Sequence, residues 1–139
     1  MYFDTFRWKG ENVSTNVVGE VLASFPGVVE ANVYGVQVGG LDGRAGMAAI
    51  TLKPSTDLSA LRAHVHSQLP SYARPLFLRL TPEIETTGTF KYRKVDLVRD
   101  GFDPGKVQDP IVFDDPETRA YVPLTAALYA RLQAGQIKF

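Results

Sequence analysis

Apolar positions along the chain fall into two rhythms, and the switches between them mark the elements. Thr5-Phe6-Arg7-Trp8 alternates polar with apolar and meets a turn signal, Lys9-Gly10-Glu11-Asn12, before Val13; a short hairpin or a looped start is expected. Ser14 or Thr15 can cap a helix in which Val17, Val18, Val21, Leu22 and Phe25 recur at helical spacing until Pro26-Gly27 stops it. Gly19 inside that run costs the helix about 1 kcal/mol relative to alanine. Val28 to Val38 is rich in β-branched residues, Gly39-Gly40-Leu41-Asp42-Gly43 is a loop, and Arg44 to Leu52 supplies a second apolar strand, so an antiparallel hairpin is predicted. Ser55-Thr56-Asp57 caps a second helix with Leu58, Leu61, Val65 and Leu69 turned inward, and Pro70 closes it. Pro75 to Leu80 reads as the next strand. Up to this point the order predicts an open sheet covered on one face by helices.

The rest of the chain is shorter in its periods. Tyr92 to Arg99 predicts a short helix with Val95 and Val98 inward, ended by Asp100-Gly101. Pro104, Pro110 and Pro116 punctuate a loop-rich stretch that brackets one extended piece, Ile111-Val112-Phe113, with Tyr121-Val122 as its expected partner. A last helix is expected from about Leu124 to Ala134, ended by Gly135. The class is therefore α+β, a small mostly antiparallel sheet with helices packed against it. The expected organisation is residues 1–13 as an initial segment and turn, 14–100 as the core and 101–139 as an extension, all in one structural domain.

Composition narrows what such a domain does. At 139 residues, 45% hydrophobic and 11% aromatic, the chain can bury a core. Fifteen basic and fifteen acidic residues cancel, so binding to nucleic acid through a broad cationic surface is not expected and any anion site must be local. With no cysteine there is no disulfide or thiolate chemistry, a pattern that fits a cytoplasmic setting. No apolar run approaches the roughly 20 residues that span a bilayer, and no signal pattern opens the chain.

Candidate chemistry concentrates in Thr86-Thr87-Gly88-Thr89-Phe90-Lys91-Tyr92-Arg93-Lys94. Gly88 allows a tight turn or close backbone approach, Thr87 and Thr89 offer hydroxyls, and Lys91 places a mobile charge just past the turn, which suits an anion. The same residues suit a solvated turn, and the stretch by itself favours that reading. His64 and His66 stand two apart on a helix and point to different sides, so no metal site is expected. Glu83 and Glu85 receive no role, and Phe6 and Trp8 read as core rather than as a gate. Without a Walker loop, a Gly-x-Gly-x-x-Gly run or a serine elbow, the chain alone cannot cradle a nucleotide's phosphates.

Three strings, taken in order, carry a resemblance: Asp4-Thr5-Phe6-Arg7-Trp8-Lys9-Gly10-Glu11-Asn12-Val13, Leu69-Pro70-Ser71-Tyr72-Ala73-Arg74-Pro75, and Thr87-Gly88-Thr89-Phe90-Lys91-Tyr92-Arg93-Lys94. They resemble the carboxy-terminal domain of adenylate-forming acyl-CoA synthetases, in the branch of fatty-acid transport proteins and very-long-chain acyl-CoA synthetases. Phe113-Asp114-Asp115 and Tyr121 look like the same branch. The resemblance implies a two-step ligase, in which a fatty-acid carboxylate attacks ATP to give an acyl-adenylate and pyrophosphate and the CoA thiol then displaces AMP. Lys91 matches the catalytic lysine of the first step, with Gly88 and Thr89 beside it. Trp8, Lys9, Gly10 and Glu11 match the turn after the hinge that faces nucleotide and pantetheine in the second. ATP, CoA and Mg²⁺ are implied for a full-length enzyme, none of them bound to this domain alone. The implied partner is an adenylation domain preceding it in the same chain, in a parent that is cytoplasmic or membrane-associated. Two departures stand out: Tyr2-Phe3 replaces the usual hinge sequence, as expected of a domain cut from a longer enzyme, and Val17 replaces a glutamate that would complete a capping box. A stand-alone ligand-binding or dimerisation module is the competing reading.

Overall fold

The computed structural model describes residues 5–40, 43–81 and 94–137, the side chains of residues 94–96 excepted. The first segment is a hairpin, β1 (Thr5–Trp8) against β2 (Glu11–Ser14), with Phe6 opposite Val13 and Trp8 opposite Glu11. Its alternation buries Phe6, Trp8 and Val13 together. Helix α1 (Thr15–Ala23) follows at once: the Ser14 hydroxyl accepts from the Val17 amide at 3.4 Å, whereas Thr15 is buried and plays no capping part. Val18 and Leu22 form the inward stripe, one turn apart, which leaves the neighbouring Val17 outward and 53% exposed rather than in the apolar face where its spacing put it.

Strands β3 (Val28–Val36) and β4 (Ala45–Leu52) pair antiparallel, with Tyr34 opposite Met47 and Gly35 opposite Gly46. Helix α2 (Leu58–Gln68) is capped by the Asp57 carboxylate, which accepts from the Ser59 and Ala60 amides, and buries Leu61 and Val65. Leu69 is buried but lies just past its end. Because α2 carries the chain back across the sheet, β5 (Phe77–Thr81) enters parallel to β4. Helix α3 (Lys94–Asp100) ends at Gly101, φ +60°. Its fully buried side chain is Leu97, with Val98 partly buried; the Val95 side chain expected beside it and the start of that helix at Tyr92 lie outside the described residues. Strands β6 (Ile111–Asp115) and β7 (Ala120–Pro123) pair antiparallel as expected, with Phe113 opposite Val122. Helix α4 (Ala126–Gln133) starts two residues later than Leu124, since the Thr125 hydroxyl takes the cap by accepting from the Leu128 amide.

The larger sheet runs β3-β4-β5-β6-β7, antiparallel except for the β4–β5 pair. Register identifies its faces. Tyr34, Met47, Phe77 and Phe113 are successive cross-strand partners and share one face. There Phe102 stacks on Phe77 at 4.3 Å between ring centres and Tyr129 of α4 meets Phe102 at 5.0 Å, while Asp100 of α3 pairs with Arg79. Val33, Gly35 and Asp114 point the other way. That face takes α1, whose Gly19 looks onto Val33, then α2, whose Arg62 reaches Asp114, and the β1–β2 hairpin, whose Phe6 lies across Gly35 and Gly46. The one-sided cover expected for the first half holds for α1 and α2, and the second half of the chain supplies the cover for the opposite face.

Candidate functional site

The hairpin turn is built by backbone conformation that side chains rarely accept. Lys9 (φ +54°) and Gly10 (φ +79°) both lie in the left-handed region, the pair of positive angles that lets a two-residue turn follow the twist of its strands. A non-glycine residue there is uncommon. A Cβ on Gly10 would meet nothing within 4 Å, so glycine is needed for its φ and the space above the turn is open. Underneath, the turn is held firmly. Trp8 is 4% exposed, the Arg7 guanidinium donates to the Gly10 carbonyl at 3.0 Å, and the Arg44 amide donates to the Arg7 carbonyl at 2.7 Å. Lys9, Gly10 and Glu11 thus project into solvent from a turn whose neighbour Trp8 is a core anchor, as the alternation of Phe6 and Trp8 implied.

Gly88, Thr89 and Lys91, with Glu83 and Glu85, lie outside the described residues. What is described is the frame on either side of that stretch. On the near side Thr81, the last residue of β5, shares a hydroxyl contact of 2.8 Å with Thr51. On the far side α3 is seated by Leu97.

Two charged clusters were not foreseen, and both include a charge set inside an apolar strand. Arg79, between Leu78 and Leu80 and 5% exposed, donates through Nε to Asp109 at 2.9 Å and through an Nη to Asp100 at 3.4 Å. Burial opposes its charge, but the hydrogen bond and charge of Asp109, helped by Asp100, outweigh that and raise its pKa above the ordinary arginine value. The Tyr34 hydroxyl, buried beside the same charges and without a hydrogen-bond partner among the described residues, has its pKa raised, chiefly by burial. On the other face Asp114, 6% exposed, accepts from Arg62 Nε at 2.6 Å and meets His66 Nε2 at 2.6 Å. Tyr121, whose hydroxyl is also buried and unpartnered, is likewise raised by burial first and by Asp114 second. His64 points elsewhere, to the Val21 carbonyl at 2.9 Å and Ser24 at 3.0 Å, so the two histidines diverge as their spacing requires. Arg74, from the second of the three strings, donates to the carbonyls of His66 and Leu69 and closes the end of α2. Lys9 shares a cavity of about 100 Å³ with Arg62, His66, Arg74 and Asp114. Among the described residues no group of three or more His, Asp or Glu could hold a metal ion, and no helix is long and apolar enough to cross a membrane.

Comparison with known proteins agrees with the motifs. The family described as AMP-binding enzyme C-terminal domain matches residues 18–91. Long-chain fatty acid transport protein 6 of Mus musculus is 50% identical over 97% of the chain, and long-chain fatty acid transport protein 3 of Homo sapiens 51% identical over 97%. The chain spans 22% and 20% of their respective lengths. Among solved structures, a Mycobacterium tuberculosis fatty acyl CoA synthetase superposes with TM-score 0.57 at 22% identity, over 69% of this chain and 19% of its own. An o-succinylbenzoate CoA synthetase from Bacillus subtilis, bound with a product analogue, gives 0.58 at 24% identity over 71% of this chain and 20% of its own. At those identities the likeness is one of fold, and it extends the α+β assignment to the C-terminal domains of such synthetases.

Proposed function

The chain belongs to the AMP-binding enzyme C-terminal domain family, and on that premise we propose that it is the moving C-terminal domain of a fatty-acid–CoA ligase that forms an acyl-adenylate from ATP and then transfers the acyl group to CoA. The observation that carries this reading is the Lys9–Gly10 turn: a rigidly based projection whose glycine has open space above it, as a backbone needs if a thin ligand is to pass close by. In the adenylating pose Lys91 bridges the fatty-acid carboxylate and the α-phosphate and stabilises the charge that builds on the phosphate oxygens. The domain then turns, Lys91 leaves, and Lys9, Gly10 and Glu11 face the nucleotide and the pantetheine arm, with Trp8 holding the turn from below. The preceding adenylation domain of the same chain contributes the rest of the ATP and fatty-acid site. Mg²⁺ is expected to enter with ATP, on the side of that preceding domain. The domain by itself is not expected to turn over.

Half-reactions measured apart in a full-length enzyme carrying this domain test the assignment. Lys91→Ala should slow acyl-adenylate formation by roughly 10²-fold or more, the scale set by loss of one preorganised electrostatic donor, while thioester formation from supplied acyl-adenylate falls far less. Gly10→Leu should reverse the pattern, and Gly10→Asn, which accepts a positive φ, separates ligand obstruction from turn strain. Equal loss of both half-reactions in folded Lys91→Ala enzyme would refute the two-face reading.

A further inference from the structure

The stretch 82–93, which contains Lys91, leaves from the end of β5 and returns through α3. Arg79 stands two residues before the end of β5, and its guanidinium reaches Asp100, the last residue of α3, at 3.4 Å. An ion pair between a buried arginine and a partly covered carboxylate therefore joins the strand that leads into the stretch to the helix that leads out of it. The second carboxylate, Asp109 at 2.9 Å from Nε, belongs to the loop before β6. With Arg79 5% exposed and both acids partly covered, screening by water and salt is limited. The planar fork engages two carboxylates in fixed directions, which a lysine ammonium cannot reproduce. Asp100 and Asp109 both lie beyond residues 18–91, the span shared with the wider family.

We propose that Arg79, clasped by Asp100 and Asp109, is a positioning residue for the lysine of adenylate formation: it fixes the separation and mutual orientation of β5 and α3 and so limits where Lys91 can reach. The proposal rests on the role given to Lys91 above. A lysine that must meet a carboxylate and a phosphate at once tolerates little misplacement, since an error on the order of 1 Å costs up to roughly 10²-fold in rate. The clasp acts only through that lysine, and the turn at Lys9–Gly10 stands on the opposite face of the sheet.

In the full-length enzyme, Arg79→Lys keeps the charge and loses the fork, and Asp100→Asn keeps the shape and loses the charge. Each is expected to lower the rate constant of acyl-adenylate formation roughly tenfold, with thioester formation from supplied acyl-adenylate changed by less than about twofold when both are assayed well below the variant's lowered thermal midpoint. Combining either with Lys91→Ala should add nothing to the loss of adenylation seen with Lys91→Ala alone. Equal losses in the two half-reactions, or effects that multiply in the double variant, would make the clasp merely structural and overturn the proposal. If Arg79→Lys does not fold, Asp100→Asn carries the same test from the partner side. Slow adenylation in Lys91→Ala with normal adenylation in both clasp variants defeats this inference alone; normal adenylation in Lys91→Ala defeats it together with the reading on which it rests.

Discussion

The two faces of the larger sheet carry charge clusters of opposite design. Under α1 and α2 a buried acid, Asp114, is held by two bases, Arg62 and His66; under α3 a buried base, Arg79, is held by two acids, Asp100 and Asp109. Each sits beside a buried tyrosine hydroxyl that has no hydrogen-bond partner among the described residues. Each also ties the extension after residue 100 to the earlier core, through β6 on one face and the loop before it on the other. The difference lies in what surrounds them. The Asp114 cluster borders a small cavity shared with Lys9, whereas the Arg79 cluster is packed beside the Phe77–Phe102–Tyr129 aromatic stack and the frame of the Lys91 stretch. One cluster underlies the face given to CoA transfer, the other the frame given to adenylation.

Chemistry makes the two clusters unequal when broken. Arg79→Met removes the buried cation that Asp100 and Asp109 share, and should cost about 3–5 kcal/mol in denaturant unfolding, toward the lower figure because Asp100 also meets Arg99 at 3.8 Å. Asp114→Asn keeps the shape and one acceptor, so a loss nearer 1.5–3 kcal/mol, roughly the value of a hydrogen bond to a charged group, is expected. Equal losses would remove the asymmetry.

Much of this architecture could be read from local pattern. The Lys9–Gly10 turn, the Asp57 cap and the stops at Gly101 and Gly135 are fixed by residues within a turn of each other, and they stand where the chain's periodicity put them. Contacts between distant positions left no such trace. Arg62 and Asp114 are 52 residues apart, and their pairing depends on β6 docking beside β5. Gly35 and Gly46 looked like ordinary strand residues until register set them opposite each other under Phe6. Val17 went outward because a stripe one turn long takes Val18 and Leu22 and has no room for the residue beside it. Of the candidate site, the turn at residues 8–11 was legible as geometry; Gly88, Thr89 and Lys91 were legible as motif, and they fall outside the described residues.

The glycine pair offers a smaller lever on the CoA face. A Cβ at Gly35 would stand 2.9 Å from the Arg44 Cβ and 3.0 Å from Phe6 atoms, so Gly35→Ala should cost about 1–3 kcal/mol and shift the hairpin. Thioester formation should then suffer more than adenylation, and the reverse order would count against the hairpin's role.

Smallest is the effect of alkaline pH, which reaches both faces together. Burial raises the Tyr34 and Tyr121 pKa values in the folded chain above the ordinary phenol value of about 10. Their contribution to stability is therefore full below that pH and is lost as pH rises toward the folded values. In a spectrophotometric titration, two of the six tyrosines should ionise only as the fold is lost; smooth ionisation of all six in the folded chain would contradict their burial.

The claim that one domain serves two chemical steps by turning is tested most directly as a distance. This chain has no cysteine, so a cysteine introduced at the exposed Val29 in a full-length enzyme cleared of others can carry one spin label, with a second on the adenylation domain. The account predicts one separation with a non-reactive acyl-adenylate analogue and a distinctly different one when CoA is added. A single distribution, unchanged between the two conditions, would contradict it.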